Sequence, residues 1–157
     1  MLGLAEKGDE VVIVVGVDHS EGAKAALRFA LEEATLRGAT LRVVHAWQYG
    51  FIGASGVEGA LPALGGDIKE LREAAAATLE ETLRESIPDA DEVEIERRLV
   101  EGRPAAVLVD ESRGADLLVV GSRGHGGFTG LLLGSVGQQC AHHAACPVVI
   151  VHRKPES

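Results

Sequence analysis

The sequence predicts one α/β domain built on a five-stranded parallel sheet with helices on both faces, and three observations predict it. A continuous apolar run, Val11–Val17 (VVIVVGV), reads as a strand buried on both sides. Extended and helical patterns then alternate down the chain, the order expected of βαβ units. The third extended segment, Val93–Val100, starts by alternating apolar Val93 and Ile95 with charged Glu94 and Glu96, which suits a strand with one wet face at a sheet edge.

Each element follows from local chemistry. After the first strand a helical pattern runs from about Ser20 to Arg37, with Ala23, Ala26, Leu27, Ala30, Leu31 and Ala34 recurring every three or four positions. Ser20 can cap its start and Gly38 can stop it. Thr40–Trp47 is the second strand. Asp67–Ile87 is the second helix, opened by the capping-box pair Asp67 and Glu70 and closed before Pro88, with Leu71, Ala75, Leu79 and Leu83 as its apolar stripe. Gly102-Arg103-Pro104 turns into a third helix that ends at Gly114. Asp116–Gly121 is the fourth strand, Ser135–Ala145 the last helix and Pro147–His152 the fifth strand. The stretch 48–66 holds six glycines and Pro62; a loop this long is either a functional lid or an inconsequential insertion. The ends, 1–9 and 153–157, are expected to be flexible.

The 157 residues are enough for a full core without staples, and nothing divides 1–157 into more than one domain. The hydrophobic fraction is 46%, yet no apolar run reaches the ~18 residues of a membrane span. MLGLAEKGDE lacks the basic and apolar regions of a secretory leader. The two cysteines, Cys140 and Cys146, read as reduced thiols rather than a disulfide scaffold, so a cytoplasmic protein is expected. A formal net charge of −9 argues against nucleic acid as a partner. It does not exclude a nucleotide, whose phosphates can be held by backbone N–H groups and neutralised by a divalent metal.

The chemistry concentrates after the fourth strand, in GSRGHGGFTGLLLGSV. Gly121, Gly124 and Gly134-Ser135 fit the spacing G-x2-G-x9-G-S. Gly121 ends a buried strand, where a missing Cβ lets a ligand approach the backbone. Gly124, Gly126 and Gly127 can take positive φ and turn successive N–H groups into one concavity. Gly134-Ser135 opens a helix whose orphan N–H groups, positive dipole end and Ser135 hydroxyl attract an anion. A strand before this loop and a capped helix after it favour phosphate binding over a plain glycine-rich turn. No Gly-Lys-Ser/Thr is present, the first turn GVDHSEG lacks G-x-G-x-x-G, and no G-x-S-x-G elbow occurs.

VVIVVGVDHSEGAKAALRFA at one end, with DLLVVGSRGHGGFTGLLLGSV and CPVVIV at the other, resembles the universal stress protein family over nearly the whole chain. The glycine–serine spacing is similar to that of the family's ATP-binding branch. The resemblance implies a Rossmann-like sandwich with strand order 3-2-1-4-5. That order agrees with the edge reading of the third strand and places Asp18 and Gly121 at the switch point between strands 1 and 4. It also implies an ATP site, with Mg2+ reaching Asp18 through the nucleotide and no metal held by protein alone. Gly16, Val17 and Asp18 would line the base and ribose, and Ala46 would meet adenine through its backbone. Val120, Gly121, Arg123 and Gly124 would wrap sugar and phosphates; Gly134, Ser135, Val136 and Gly137 would hold the phosphate tail. Gly137 stands where relatives often have a hydroxyl residue, so one side-chain donor is missing.

Single residues keep two readings. Asp18 either caps the first helix or binds a ribose hydroxyl or metal. Asp18, His19 and Ser20 have the residue types of a triad, but adjacent residues cannot adopt its geometry. Cys140, His142, His143 and Cys146 match no structural zinc spacing. Arg123 suits phosphate, and His125 either reaches a phosphate or is solvated. With no catalytic residue evident, the expected role is ATP-dependent stress response or signalling through an unidentified protein partner. The alternatives are an interaction module that binds no nucleotide and, behind it, a slow ATPase or other ATP-consuming enzyme. An uncharged fifth strand, Val148, Val149, Ile150 and Val151, left at a sheet edge by the implied order, points to a homodimer.

Overall fold

The computed structural model describes residues 10–49, 67–123 and 133–153. The ends 1–9 and 154–157, the stretch 50–66, and the loop positions Gly124, His125, Gly126 and Gly127 lie outside the described residues. The elements are β1 (Val12–Gly16), α1 (Glu21–Arg37), β2 (Thr40–Trp47), α2 (Ile68–Ser86), β3 (Ile95–Glu101), α3 (Pro104–Glu111), β4 (Leu117–Gly121), α4 (Ser135–His143) and β5 (Val148–Val151). The strands form one parallel sheet in the order β3-β2-β1-β4-β5.

The apolar run of β1 is explained by two cores. Successive side chains of a strand point to opposite faces. Ile13 and Val15 join Leu27, Leu41, Val43, Leu79, Leu83, Leu117 and Val119 beneath α1 and α2. Val12 and Val14 join Val44, Val107, Leu108, Leu118, Val120 and Cys140 beneath α3 and α4. Both faces of the central strands are therefore dry, and the sheet is doubly wound.

The caps form as the sequence predicts. The Ser20 hydroxyl accepts the Ala23 N–H, Gly38 closes α1 at φ 63°, and the Asp67 carboxylate accepts the Glu70 N–H. Some boundaries move. Val17 leaves the ladder, β3 starts at Ile95 rather than Val93, and α3 stops at Glu111 rather than running on to Gly114. Ser112 explains the early stop: its N–H bonds back to Leu108 and Val109, and its buried hydroxyl donates to the Val109 carbonyl while accepting the Ala145 N–H. That hydroxyl ties the end of α3 to the end of α4.

The two sheet edges differ in chemistry. β3 carries Arg97, paired with Glu80 at 2.6 Å, and Arg98, paired with Glu111 at 2.7 Å. Arg42 of β2 bridges Glu96 and Glu111, and these carboxylates raise the affinity of its guanidinium for its proton. Charge of this kind discourages further strand addition. β5 offers only valines and isoleucine, all half-buried. Among the described residues no helix is long and apolar enough to cross a membrane.

Candidate ligand-binding cleft

β1 and β4 are neighbours, but the chain leaves them in opposite directions, β1 toward β2 and β4 toward β5. A crevice opens beyond their C-terminal ends, as at every such switch point. The cleft encloses about 370 Å³. Gly16, Val17, Asp18, Ala46, Val120, Gly121, Arg123, Gly134, Ser135, Val136 and Gly137 all line it. Gly124, the remaining candidate, lies outside the described residues.

One wall ends in the N-terminus of α4. Gly134 occupies its N-cap in an extended conformation, and no side chain caps the helix. The Gly134 N–H is taken by the Ser122 carbonyl at 2.7 Å, and the Gln138 N–H returns to the Gly134 carbonyl. The amides of Ser135, Val136 and Gly137 are the orphan donors of a first helical turn, and all three residues face the cleft. Such amides, with the positive end of the helix dipole, are the groups that could hold an anion. The Gln138 side chain donates to the Leu133 carbonyl at 2.9 Å and so pins the segment entering the helix.

The opposite wall is the β1–α1 turn. Asp18 Oδ1 accepts both the Ser20 N–H, at 3.0 Å, and the Ser20 hydroxyl, at 2.5 Å. Ser20 in turn accepts the Ala23 N–H at 3.1 Å. The two readings of Asp18 thus coexist: its carboxylate braces the cap of α1 and also stands on the cleft wall. His19 turns away at φ 68° and places Nε2 3.6 Å from Glu85 and 3.8 Å from Glu81, so the three adjacent residues form no triad. Glu85 is held below the usual carboxylate range by the Lys24 ammonium 2.8 Å away.

Gly121 has a packing reason of its own. A Cβ there would lie 2.8 Å from the Gly22 carbonyl oxygen and 2.9 Å from its carbon. The bare backbone makes room for the start of α1. Gly22 answers in kind, since its own Cβ would stand 2.6 Å from the Arg123 carbonyl oxygen. At Gly137 the space of the missing side chain is taken by Leu133, whose Cδ1 would be 2.7 Å from an added Cβ.

Ser20, Ala23, Val44, Pro104, Leu108 and Ser122 also line the cleft, and sequence reasoning assigned none of them to it. Pro104 and Leu108 had a signal in topology. To connect edge strand β3 with β4, on the far side of β1, α3 must cross over the sheet centre and meet the crevice. Their apolar surface, with Val44 and Val120, makes one side of the cleft suited to a flat aromatic ring.

Outside the cleft, the ligand atoms of His19, Glu81 and Glu85 lie within 4.8 Å of one another, the one such group among the described residues. Cys140, His142, His143 and Cys146 form none there. Burial pushes the Cys140 thiol up to about 11, so it is protonated at neutral pH.

Sheet order, double winding and a switch-point cleft define a Rossmann-like α/β domain. The chain belongs to the universal stress protein family, whose model matches residues 12–152. It is 40% identical over 145 residues to the universal stress protein Rv2005c of Mycobacterium tuberculosis, a match covering 90% of this chain and 45% of that protein. The chain thus spans less than half the length of this curated relative. Among solved structures it is similar to a universal stress protein in complex with cAMP, at 28% identity and TM-score 0.64, covering 92% of this chain and 98% of the other. It is also similar to the universal stress protein from Archaeoglobus fulgidus in complex with dAMP, at 27% identity and TM-score 0.52, covering 89% and 96%.

Proposed function

We propose that this universal stress protein domain binds ATP with Mg2+ in the switch-point cleft and acts in a cytoplasmic stress response or signalling step through a protein partner. One observation carries the reading: three uncapped amides of α4 face a cleft whose other side, with Val44, Leu108 and Val120, is apolar. Phosphates would lie against Gly134, Ser135, Val136 and Gly137, with Arg123 alongside. The sugar would sit between Asp18 and Gly121, and the base against Gly16, Val17, Ala46 and Val120. Relatives of the same fold solved with cAMP and dAMP support an adenine nucleotide. Asp18 and Arg123 are the titratable side chains among the described residues of the cleft, and Asp18 is engaged at Ser20. Hydrolysis is therefore expected to be slow. Titration calorimetry of nucleotide-free protein with Mg-ATP should show saturable binding tighter than ~1 mM. Phosphate release should stay well below ~1 s⁻¹. No heat in that range would favour the interaction module; faster release, abolished by a change in the cleft, would favour an enzyme.

The same proposal includes a homodimer through β5. The Leu118 and Ser122 amides bond to the Pro147 and Val151 carbonyls, so odd-numbered residues of β5 direct their backbone inward to β4. Val148 and Ile150 accordingly present theirs outward, at an edge with no charge to blunt it. Ile150→Pro removes an outward N–H and leaves the inner ladder intact. Light scattering should find a dimer for the native chain and a monomer for Ile150→Pro. A native monomer at micromolar concentration, or a variant that remains dimeric, would overturn the interface.

A further inference from the structure

Ala46 ends its ladder in an unusual way. Along β2 the even-numbered residues direct their backbone groups to β1: the Thr40 N–H goes to the Val11 carbonyl, and the Val44 carbonyl takes the Val17 N–H. Odd-numbered residues serve β3, with the Leu41 N–H on Glu94 and the Trp47 carbonyl on Gly102. By this parity the Ala46 N–H and C=O point into the lane of β1. Registered pairing with β1 stops at Gly16 opposite Val44. Were β1 to continue one residue, the Val17 carbonyl would accept the Ala46 N–H.

That carbonyl is engaged elsewhere. His45 Nδ1 lies 2.9 Å from it. A carbonyl oxygen only accepts, so Nδ1 carries the proton in this bond. His45 is an odd-numbered residue of β2, and its ring reaches Val17 from the α1–α2 face, where Val17 is packed with Leu41 and Val43. The Val17 N–H is on the Val44 carbonyl at 2.9 Å, so both backbone polar groups of Val17 are held by β2. Ala46, on the cleft side, lines the cavity.

We propose that His45 is a positioning residue for the cleft: by donating Nδ1–H to the Val17 carbonyl it replaces the Ala46 amide as that carbonyl's partner, and it leaves the Ala46 N–H and C=O facing the base of a bound nucleotide. The inference rests on the adenine-nucleotide reading above. An adjacent donor and acceptor on one strand end match an adenine edge, where a ring nitrogen accepts beside an amino group that donates. The imidazole also holds the turn that carries Asp18 against β2, so base and ribose contacts are set by one side chain.

The test compares His45→Leu, which removes the donor, with His45→Asn, whose amide nitrogen can occupy the place of Nδ1. Calorimetry with Mg-ATP is paired with Mg-tripolyphosphate, a probe without a base. His45→Leu should weaken ATP about tenfold, the scale of one hydrogen bond with its desolvation. It should leave tripolyphosphate unchanged, and Asn should restore ATP affinity. In the ligand-free protein, exchange of the Ala46 amide should slow in His45→Leu, because that amide recovers the Val17 carbonyl. His45→Gln, whose amide lies one bond farther out, should behave like Leu and serves if Leu does not fold. Wild-type affinity in the Leu and Gln variants would overturn the role while leaving ATP binding intact. So would equal losses for both probes that Asn does not relieve. If the native protein binds no ATP, the nucleotide reading falls by itself, and the Ala46 exchange then decides: slower exchange in the variants upholds the device, unchanged exchange overturns it.

Discussion

The turn after β1 and the turn into α4 stand side by side at the same end of the sheet, and both lead into a helix, yet they treat their orphan amides differently. At α1 the chain supplies its own acceptors: Asp18 holds Ser20, and Ser20 takes the Ala23 N–H. At α4 a glycine sits at the N-cap and no side chain caps the helix. The α1 end is also pressed against the end of β4, with the backbones of Gly22 and Gly121 close together. A helix start is thus only a potential anion site. What the neighbouring backbone and side chains leave open decides whether it becomes one.

The largest effect that can break this comparison is Gly121→Ala. Its Cβ would meet the rigid backbone of Gly22 at 2.8 Å, not a movable side chain. Overpacking of this kind costs on the order of 3 kcal/mol, and the melting temperature should fall by roughly 6–12 °C. A variant as stable as the native chain would show that the two turns are not wedged together.

Ser135→Ala sharpens the contrast from the other side. Ser135 is exposed and caps nothing, so unfolding should be unchanged, while Mg-ATP affinity should drop about tenfold, the scale of a hydrogen bond to a charged group. Equal affinity would remove its hydroxyl from the proposed phosphate site.

Ser20→Ala should do the reverse. Loss of the cap costs about 1 kcal/mol, visible in denaturant unfolding, and ATP affinity should change less than in Ser135→Ala. If Ser20→Ala weakened binding more than stability, the closed turn would itself be a ligand contact.

Some of this was legible from local chemistry. The run VVIVV read as a strand covered on both faces, the Ser20, Gly38 and Asp67 caps were readable from residue type, and the charged alternation of β3 marked it as an edge. Gly134 and Ser135 were readable as a helix start from residue type, whereas the need for a glycine at 121 was not, since it depends on Gly22 across the fold.

What the sequence by itself determined is therefore the alternation of elements, the edge character of β3 and the helix caps, since these follow from side-chain period and residue type within a few positions. Only the tertiary structure decided what each residue meets across the fold. It assigned Gly121 to α1, filled the space at Gly137 with Leu133, brought Pro104 and Leu108 to the cleft, and placed His45 on the Val17 carbonyl. Each of those contacts joins groups separated in sequence, and the distance between them is set by strand order and helix crossing rather than by either residue's own preference.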